Sequence, residues 1–239
     1  MRRRATTVAV LAALLAVVLV PAAVPAKDAP RKVDLIKVVP DFDSLNVRSI
    51  ALLPVVTYDK NLQTERIVGT SLGQNFRATG QRWISSNTTR DMLTSALGDS
   101  TVRAVREEIL KNVRVDSLRA PRLCATLRVN AVLAVRVDQW DQLQMLWNQP
   151  GKPSTTVQIK AALVDSTGRQ LWSASGSETG EGAYHDPSTN PISIATSGLE
   201  NTPMTGQGGP PAFEEVVNRM FQRWAERFPH AGAAPPPAK

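Results

Sequence analysis

The chain has 239 residues, with 28 Lys and Arg against 21 Asp and Glu, two histidines and one cysteine. A single cysteine rules out an internal disulfide. The net charge of +7 is scattered, without the basic stripe interleaved with aromatics that nucleic-acid binding needs. The length suits one domain of ordinary size with a core of its own.

Met1-Arg2-Arg3-Arg4 is a compact positive start, and thirteen consecutive apolar residues follow from Val8 to Val20. Pro21 breaks the apolar helix. Val24 and Ala26 put small residues where a peptidase cuts, and charge resumes at Lys27 and Asp28. This is the pattern of a secretory signal peptide over residues 1–26. The alternative is a retained anchor, since the apolar stretch to Ala26 is nineteen residues, just enough to span a bilayer. The prolines and small residues favour cleavage near Ala26. The expected location is therefore periplasmic or secreted, with no transmembrane segment after cleavage. A lipid anchor at the junction needs a cysteine there, and Cys124 lies far inside the chain. Cleavage takes three arginines and no acids with it, so the net charge falls to +4.

Residues 27–47 read as an N-terminal extension, and the domain is expected over residues 48–229. Ser49-Ile50-Ala51-Leu52-Leu53-Pro54-Val55-Val56 is an apolar run of strand length, with Pro54 near its end. Residues 64–76 carry Ile67, Val68, Leu72 and Phe76 at helical spacing, although Gly69 and Gly73 weaken the pattern. A short strand is predicted over residues 81–84. Ser86-Asn87-Thr88-Thr89 then offers N-caps for a helix that ends at Gly98. A second helical pattern runs from Ser100 through Ile109 and Leu110, and a third covers residues 120–127.

From Ala131 to Trp147 one parity is Ala131, Leu133, Val135, Val137, Leu143, Met145 and Trp147. The other starts apolar with Val132 and Ala134 and then carries Arg136, Asp138, Gln142 and Gln144. This strand begins buried on both faces and continues with one face in water. Asp141 breaks the apolar parity, which predicts a bulge or turn there. Residues 157–163 alternate as a second strand, Asp165-Ser166-Thr167-Gly168 is a turn, and residues 170–178 return as a third. Residues 179–211 form a long Gly-, Pro- and Ser-rich loop in which only Ile192-Ser193-Ile194 looks structured. Phe213, Val216, Val217, Met220, Phe221, Trp224 and Phe228 mark one face of a closing helix, with Glu214 and Glu215 in its first turn. Residues 230–239 read as a disordered tail.

Chemistry is sparse in these patterns. His185 and His230 have no partner at metal-ligand spacing, so no metal or cofactor is expected. Nucleophile-elbow, S-x-x-K and H-E-x-x-H motifs are missing. The Gly-rich run at residues 176–182 has neither the Lys nor the helix of a phosphate-binding loop. Cys124, between Leu123 and Ala125, reads as a small buried hydrophobe. Asp138 and Asp141 flank Trp140 and could share general acid–base work, but solvated strand charges are the commoner case. Trp140 and Trp147 either cover a core edge or anchor a protein interface.

Ile50-Ala51-Leu52-Leu53-Pro54-Val55 resembles the opening strand of the TolB N-terminal-like and CsgG-like envelope proteins. Val129 to Leu133 followed by Val137-Asp138-Gln139-Trp140 is similar to their next segment. Val157 to Asp165 with Thr167-Gly168-Arg169-Gln170-Leu171-Trp172 is similar to their hairpin of pattern D-x-x-G-x-x-L-W. The resemblance implies an α/β fold, a single-domain sandwich of helices on a mixed, partly antiparallel sheet. It implies a non-enzymatic role in envelope assembly, maintenance or as an accessory subunit. Its partners would be other envelope proteins or further copies of the chain, not nucleic acid. The missing junction cysteine departs from the many lipoproteins among such proteins, and no functional residues are transferred. Two other readings stay open. One is a secreted hydrolase using Asp138, Asp141, His185 or Asp186, which requires those side chains to converge. The other is a small-ligand binder, which requires a concave apolar pocket.

Overall fold

The computed structural model describes residues 34–146, 148–186 and 208–230. The signal-peptide pattern, Trp147, Ile192-Ser193-Ile194 and the tail from Ala231 lie outside the described residues.

The apolar runs assemble into a seven-stranded mixed sheet with helices on both faces. The strands are β1 (Leu35–Val38), β2 (Ser49–Leu52), β3 (Val56–Thr57), β4 (Arg82–Ile84), β5 (Ala131–Leu143), β6 (Ser154–Asp165) and β7 (Gln170–Glu181). The helices are α1 (Leu62–Asn75), α2 (Ser86–Leu97), α3 (Asp99–Asn112), α4 (Ala120–Leu127) and α5 (Phe213–Glu226). The sheet order is β1-β7-β6-β5-β2-β4, and β3 pairs with β5. Strand β2 runs parallel to both β4 and β5, whereas β5, β6, β7 and β1 are antiparallel. The fold is thus α/β, with helices packed on a mixed sheet.

Strand β5 shows why the sheet needs two layers of helix. Its Ala131, Leu133, Val135 and Val137 enter the core shared with α1 and α5, while Val132 and Ala134 enter the core under α2, α3 and α4. A strand apolar on both faces is stable only when both are covered. On the α5 side the cover is aromatic. Phe76, just after α1, meets Trp83, Trp172, Phe221 and Phe228 at ring-centroid distances of 5.5, 6.1, 6.4 and 5.3 Å.

The structure corrects three boundaries. Residues 34–47 are not an extension outside the domain. Leu35–Val38 pairs with β7 from Ser175 to Trp172, and Phe42 and Val47 are core residues. The buried Asp34 carboxylate accepts a 2.9 Å bond from Arg223 Nε on α5, and Arg223 also bonds Glu178 at 2.9 Å. Second, β7 continues to Glu181, so the first residues of the expected loop belong to the sheet. Third, the bulge in β5 falls between Val137 and Gln139, not at Asp141.

The D-x-x-G turn has a clear physical basis. Asp165 Oδ1 accepts the N–H groups of Thr167 (2.8 Å) and Arg169 (2.9 Å). Gly168 holds φ at 84°, and a Cβ there would run into the Ser117 backbone. By contrast, the left-handed C-cap of α3 is occupied by Val113 at φ 61°, a strained setting for a β-branched residue. Two substitutions should therefore act in opposite directions in urea denaturation. Gly168→Ala should lower stability by about 2 kcal/mol, and Val113→Gly should raise it by about 1 kcal/mol.

Candidate functional site

The bulge decides what the second half of β5 presents. Before it, Arg136 pairs across the sheet with Lys160; beyond it, Gln139 pairs with Gln158 and Asp141 with Thr156. Residues 156, 158 and 160 of β6 share one face, because alternate strand residues do. The extra residue therefore brings Arg136, Asp138, Gln139 and Asp141 onto the α3 side together. Simple alternation would have separated Asp138 from Asp141. The same shift turns Trp140 to the opposite face, where it stacks on Phe213 at 4.3 Å with the rings 7° from parallel. Trp140 is half-buried against the α5 core.

Arg136 sits at the centre of the cluster. Its Nε and Nη2 reach Asp138 Oδ1 and Oδ2 at 2.6 and 3.3 Å, its Nη1 donates to the Leu110 carbonyl at 2.6 Å, and its Cζ lies 5.6 Å from the Tyr58 ring centroid. Lys160 Nζ reaches Asp138 Oδ2 at 2.9 Å. Gln139 Nε2 donates to Asp141 Oδ2 at 2.7 Å. Beside this cluster a cleft of about 240 Å3 is lined by Thr57, Tyr58, Asp59, Asp138, Gln139 and Asp141, among others. Pairing of β3 with β5 brings Tyr58 and Asp59 here, with Thr57 opposite Val137.

Burial pushes the Asp138 carboxyl up, but Arg136 and Lys160 together outweigh it and hold the group below the ordinary carboxylate range. A carboxylate held ionised between two cations is a poor proton carrier near neutral pH. Its depressed folded pKa adds stability above the unfolded value, and that stability is lost as pH falls through the folded one. Asp138→Asn should therefore cost about 2–3 kcal/mol at neutral pH in urea denaturation, with the gap to wild type closing in strong acid.

The other candidate residues lie apart from this cluster. His185 is 7% exposed, and its backbone pairs with Gly151 at the opposite end of the hairpin from the Asp165 turn. Gly151 precedes Gln158, the partner of the bulge, by a strand length of roughly 20 Å at 3.3 Å per residue. Asp186 follows His185. The structure thus joins Asp138 to Asp141 and leaves His185 and Asp186 at the far end. Among the described residues no group of three or more His, Cys, Asp or Glu is placed to hold a metal. Polar and apolar groups share the lining of the cleft, with Val137, Trp140 and Tyr58 beside the carboxylates.

Cys124 is buried, and burial, with a smaller contribution from Asp165, pushes its thiol up to about 12. A thiol in that state is unreactive. It should resist an aromatic disulfide reagent in the native protein at neutral pH and react at once in denaturant.

Tyr58, Asp59 and Lys160 were not among the candidates read from the sequence. The only local sign was a polar break after the Pro54 run, and the pairing that assembles them joins distant segments.

No protein-family description matches the chain, and no curated protein matches it. Among solved structures it is similar to the lipoprotein GNA1162 from Neisseria meningitidis, with 20% identity over 56% of this chain and 83% of that chain and a TM-score of 0.42. It is also similar to the PelC dodecamer from Paraburkholderia phytofirmans, with 13% identity over 80% of this chain and 95% of that chain and a TM-score of 0.41. A third is the hypothetical protein CT253 from Chlamydia trachomatis, with 13% identity, 75% and 94% coverage and a TM-score of 0.40. At identities this low a likeness in chain path does not transfer chemistry. No helix among the described residues is long and apolar enough to cross a membrane.

Proposed function

We propose that this chain is an exported, non-catalytic assembly module of the bacterial cell envelope, acting by binding other envelope proteins or further copies of itself. The observation that carries the binding role is the setting of Tyr58. Tyr58 is 63% exposed, yet its ring lies against the Arg136 guanidinium, which three hydrogen bonds hold in place. An exposed aromatic fixed before a partner arrives loses little conformational freedom on binding, and Tyr is a residue type on which interfaces concentrate their energy. The charges beneath are already paired with one another, so a partner need not neutralise them.

Export is supported by the signal-peptide pattern of residues 1–26, with the mature chain in the periplasm or beyond. The envelope role is supported by the resemblance of the β2, β5 and hairpin segments to TolB N-terminal-like and CsgG-like proteins. The non-catalytic role is supported by Asp138, which is committed to Arg136 and Lys160, and by its separation from His185.

Fractionation of cells expressing the tagged chain, with the mature N-terminus read by mass spectrometry, tests export. Affinity capture from gently solubilised envelopes tests the binding surface. Wild type should recover a reproducible set of envelope proteins or its own untagged copies, and Tyr58→Ala should reduce that recovery roughly tenfold without loss of folding. A chain that stays in the cytoplasm with Met1 in place, or equal recovery by both forms, would overturn the proposal.

A further inference from the structure

The ends of the sheet are not alike. Strand β4 closes one end with only Arg82–Ile84. Strand β1 closes the other, and among the described residues no strand pairs with its outer side. Which of its backbone groups face outward follows from the register. Val39 N–H donates to the Leu171 carbonyl at 2.9 Å, and Lys37 and Leu35 stand opposite Ser173 and Ser175. In an antiparallel pair, residues that exchange hydrogen bonds alternate with residues that do not. Leu35, Lys37 and Val39 therefore spend their N–H and C=O groups on β7, and Ile36 and Val38 turn theirs away from the sheet. Open backbone groups at a sheet edge are a template for another strand.

The side chains of β1 are apolar for an edge. Leu35 is 66% exposed and Val38 40%, while Ile36 packs against the core on the α5 side. Lys37 carries the only charge in the strand. This composition suits a second copy of β1 in one particular register. Two identical antiparallel strands are related by a two-fold axis perpendicular to the sheet, and their outward groups meet only when that axis passes through a residue pair. An axis at Leu35 or at Val38 aligns a single residue of each strand, whereas an axis at Ile36 or at Lys37 aligns three. The axis at Lys37 sets two ammonium side chains directly opposite each other, which is unfavourable. The axis at Ile36 sets Lys37 across from Leu35, where the lysine stem can cover the exposed leucine and leave its charge in water. The lysine that would repel a pair centred on itself is accommodated in the pair centred on its neighbour.

We infer that the β1 edge binds a second copy of this chain through its own β1, antiparallel and centred on Ile36. The backbone of Ile36 exchanges N–H···O bonds with its equivalent, and Val38 meets the backbone of Asp34. The two-fold axis keeps α5 of both copies on the same face, so the apolar rows of Ile36 and Val38 continue across the junction. The contact is short, and the dimer has a Kd in the micromolar range. Nothing in this inference depends on the Tyr58 surface, so the two can fail separately.

Sedimentation velocity of the full chain over roughly 1–200 µM tests it. The mass should rise from monomer to dimer across that range, and Tyr58→Ala should leave the rise unchanged. Val38→Pro removes an outward donor, at an edge position where proline is tolerated because the N–H faces solvent. It should weaken dimerisation roughly tenfold while the urea midpoint stays close to that of wild type. Oxidation of single-cysteine variants reads the register, and the buried Cys124 does not compete. Opposed residues of a hydrogen-bonded pair have Cα atoms about 5.5 Å apart, within disulfide reach, so Ile36→Cys should cross-link to its equivalent. Leu35 is a diagonal neighbour of its equivalent at roughly 7–8 Å, so Leu35→Cys should cross-link at least about tenfold more slowly. A chain that stays monomeric throughout, a dimer indifferent to Val38→Pro, or one lost with Tyr58→Ala would overturn the β1 interface. Faster cross-linking of Leu35→Cys, or none of Ile36→Cys, would overturn the register centred on Ile36.

Discussion

The contact on which the rest of this structure depends is the edge-on packing of Phe76 against four other rings. Those rings come from β4, from β7 and from α5 and its end, so one side chain ties together segments distant along the chain. Each large aromatic removes on the order of 150–250 Å2 from water, and such pairs gain further from their geometry. The gain must exceed the cost of two indole N–H groups, on Trp172 and Trp224, that are buried without an acceptor. No disulfide supports this core, since Cys124 is the only cysteine. Packing keeps α5 on the sheet, helped at the rim by Arg223 bridging Asp34 and Glu178.

With that face closed, the sheet can be irregular where irregularity is useful. The bulge at Asp138 adds one residue to β5 and exchanges the faces of everything beyond it. Two carboxylates, a guanidinium and an amide come to one side, and an indole goes to the other. The charges then neutralise each other locally, and the cluster is rigid and nearly self-contained. A proton-transfer site has the opposite character, since it keeps at least one group poised between protonation states. Here the surplus is an exposed phenol ring held over the pairs.

The sequence made the local features legible. The closing helix follows from Phe213, Val216, Val217, Met220, Phe221 and Trp224, because one helix face must be apolar to pack. The 165–168 turn follows from Asp165 and Gly168, because only a short side-chain acceptor and a left-handed residue close it. Helix α1 formed despite Gly69 and Gly73, since the Asn61 cap and the burial of Val68 and Leu72 outweigh the low propensity of glycine. What escaped was set by partners distant in sequence. Leu35 to Val38 show no apolar alternation, because an edge strand with much of its surface in water does not need one. The bulge could be foreseen within the strand but not placed, since its position depends on the register with β6. The pairing of Asp138, the role of Tyr58 and the open edge of β1 all arise from strand neighbours and crossovers. No window of sequence contains them.

The order of elements along the chain has a further consequence. The ring cluster needs Phe221 and Phe228, which come after the sheet strands and after the stretch that separates Glu181 from Phe213. A polypeptide emerging from a ribosome or a translocation channel with its N-terminus leading exposes Val135, Ile159 and Trp172 before their cover has been made. During that interval the nascent sheet has a wet apolar face, the condition under which holdase chaperones engage and under which chains aggregate. Cooperative stability arrives with the last helix, so the rate at which that helix is delivered and docks sets how long the chain must be sheltered.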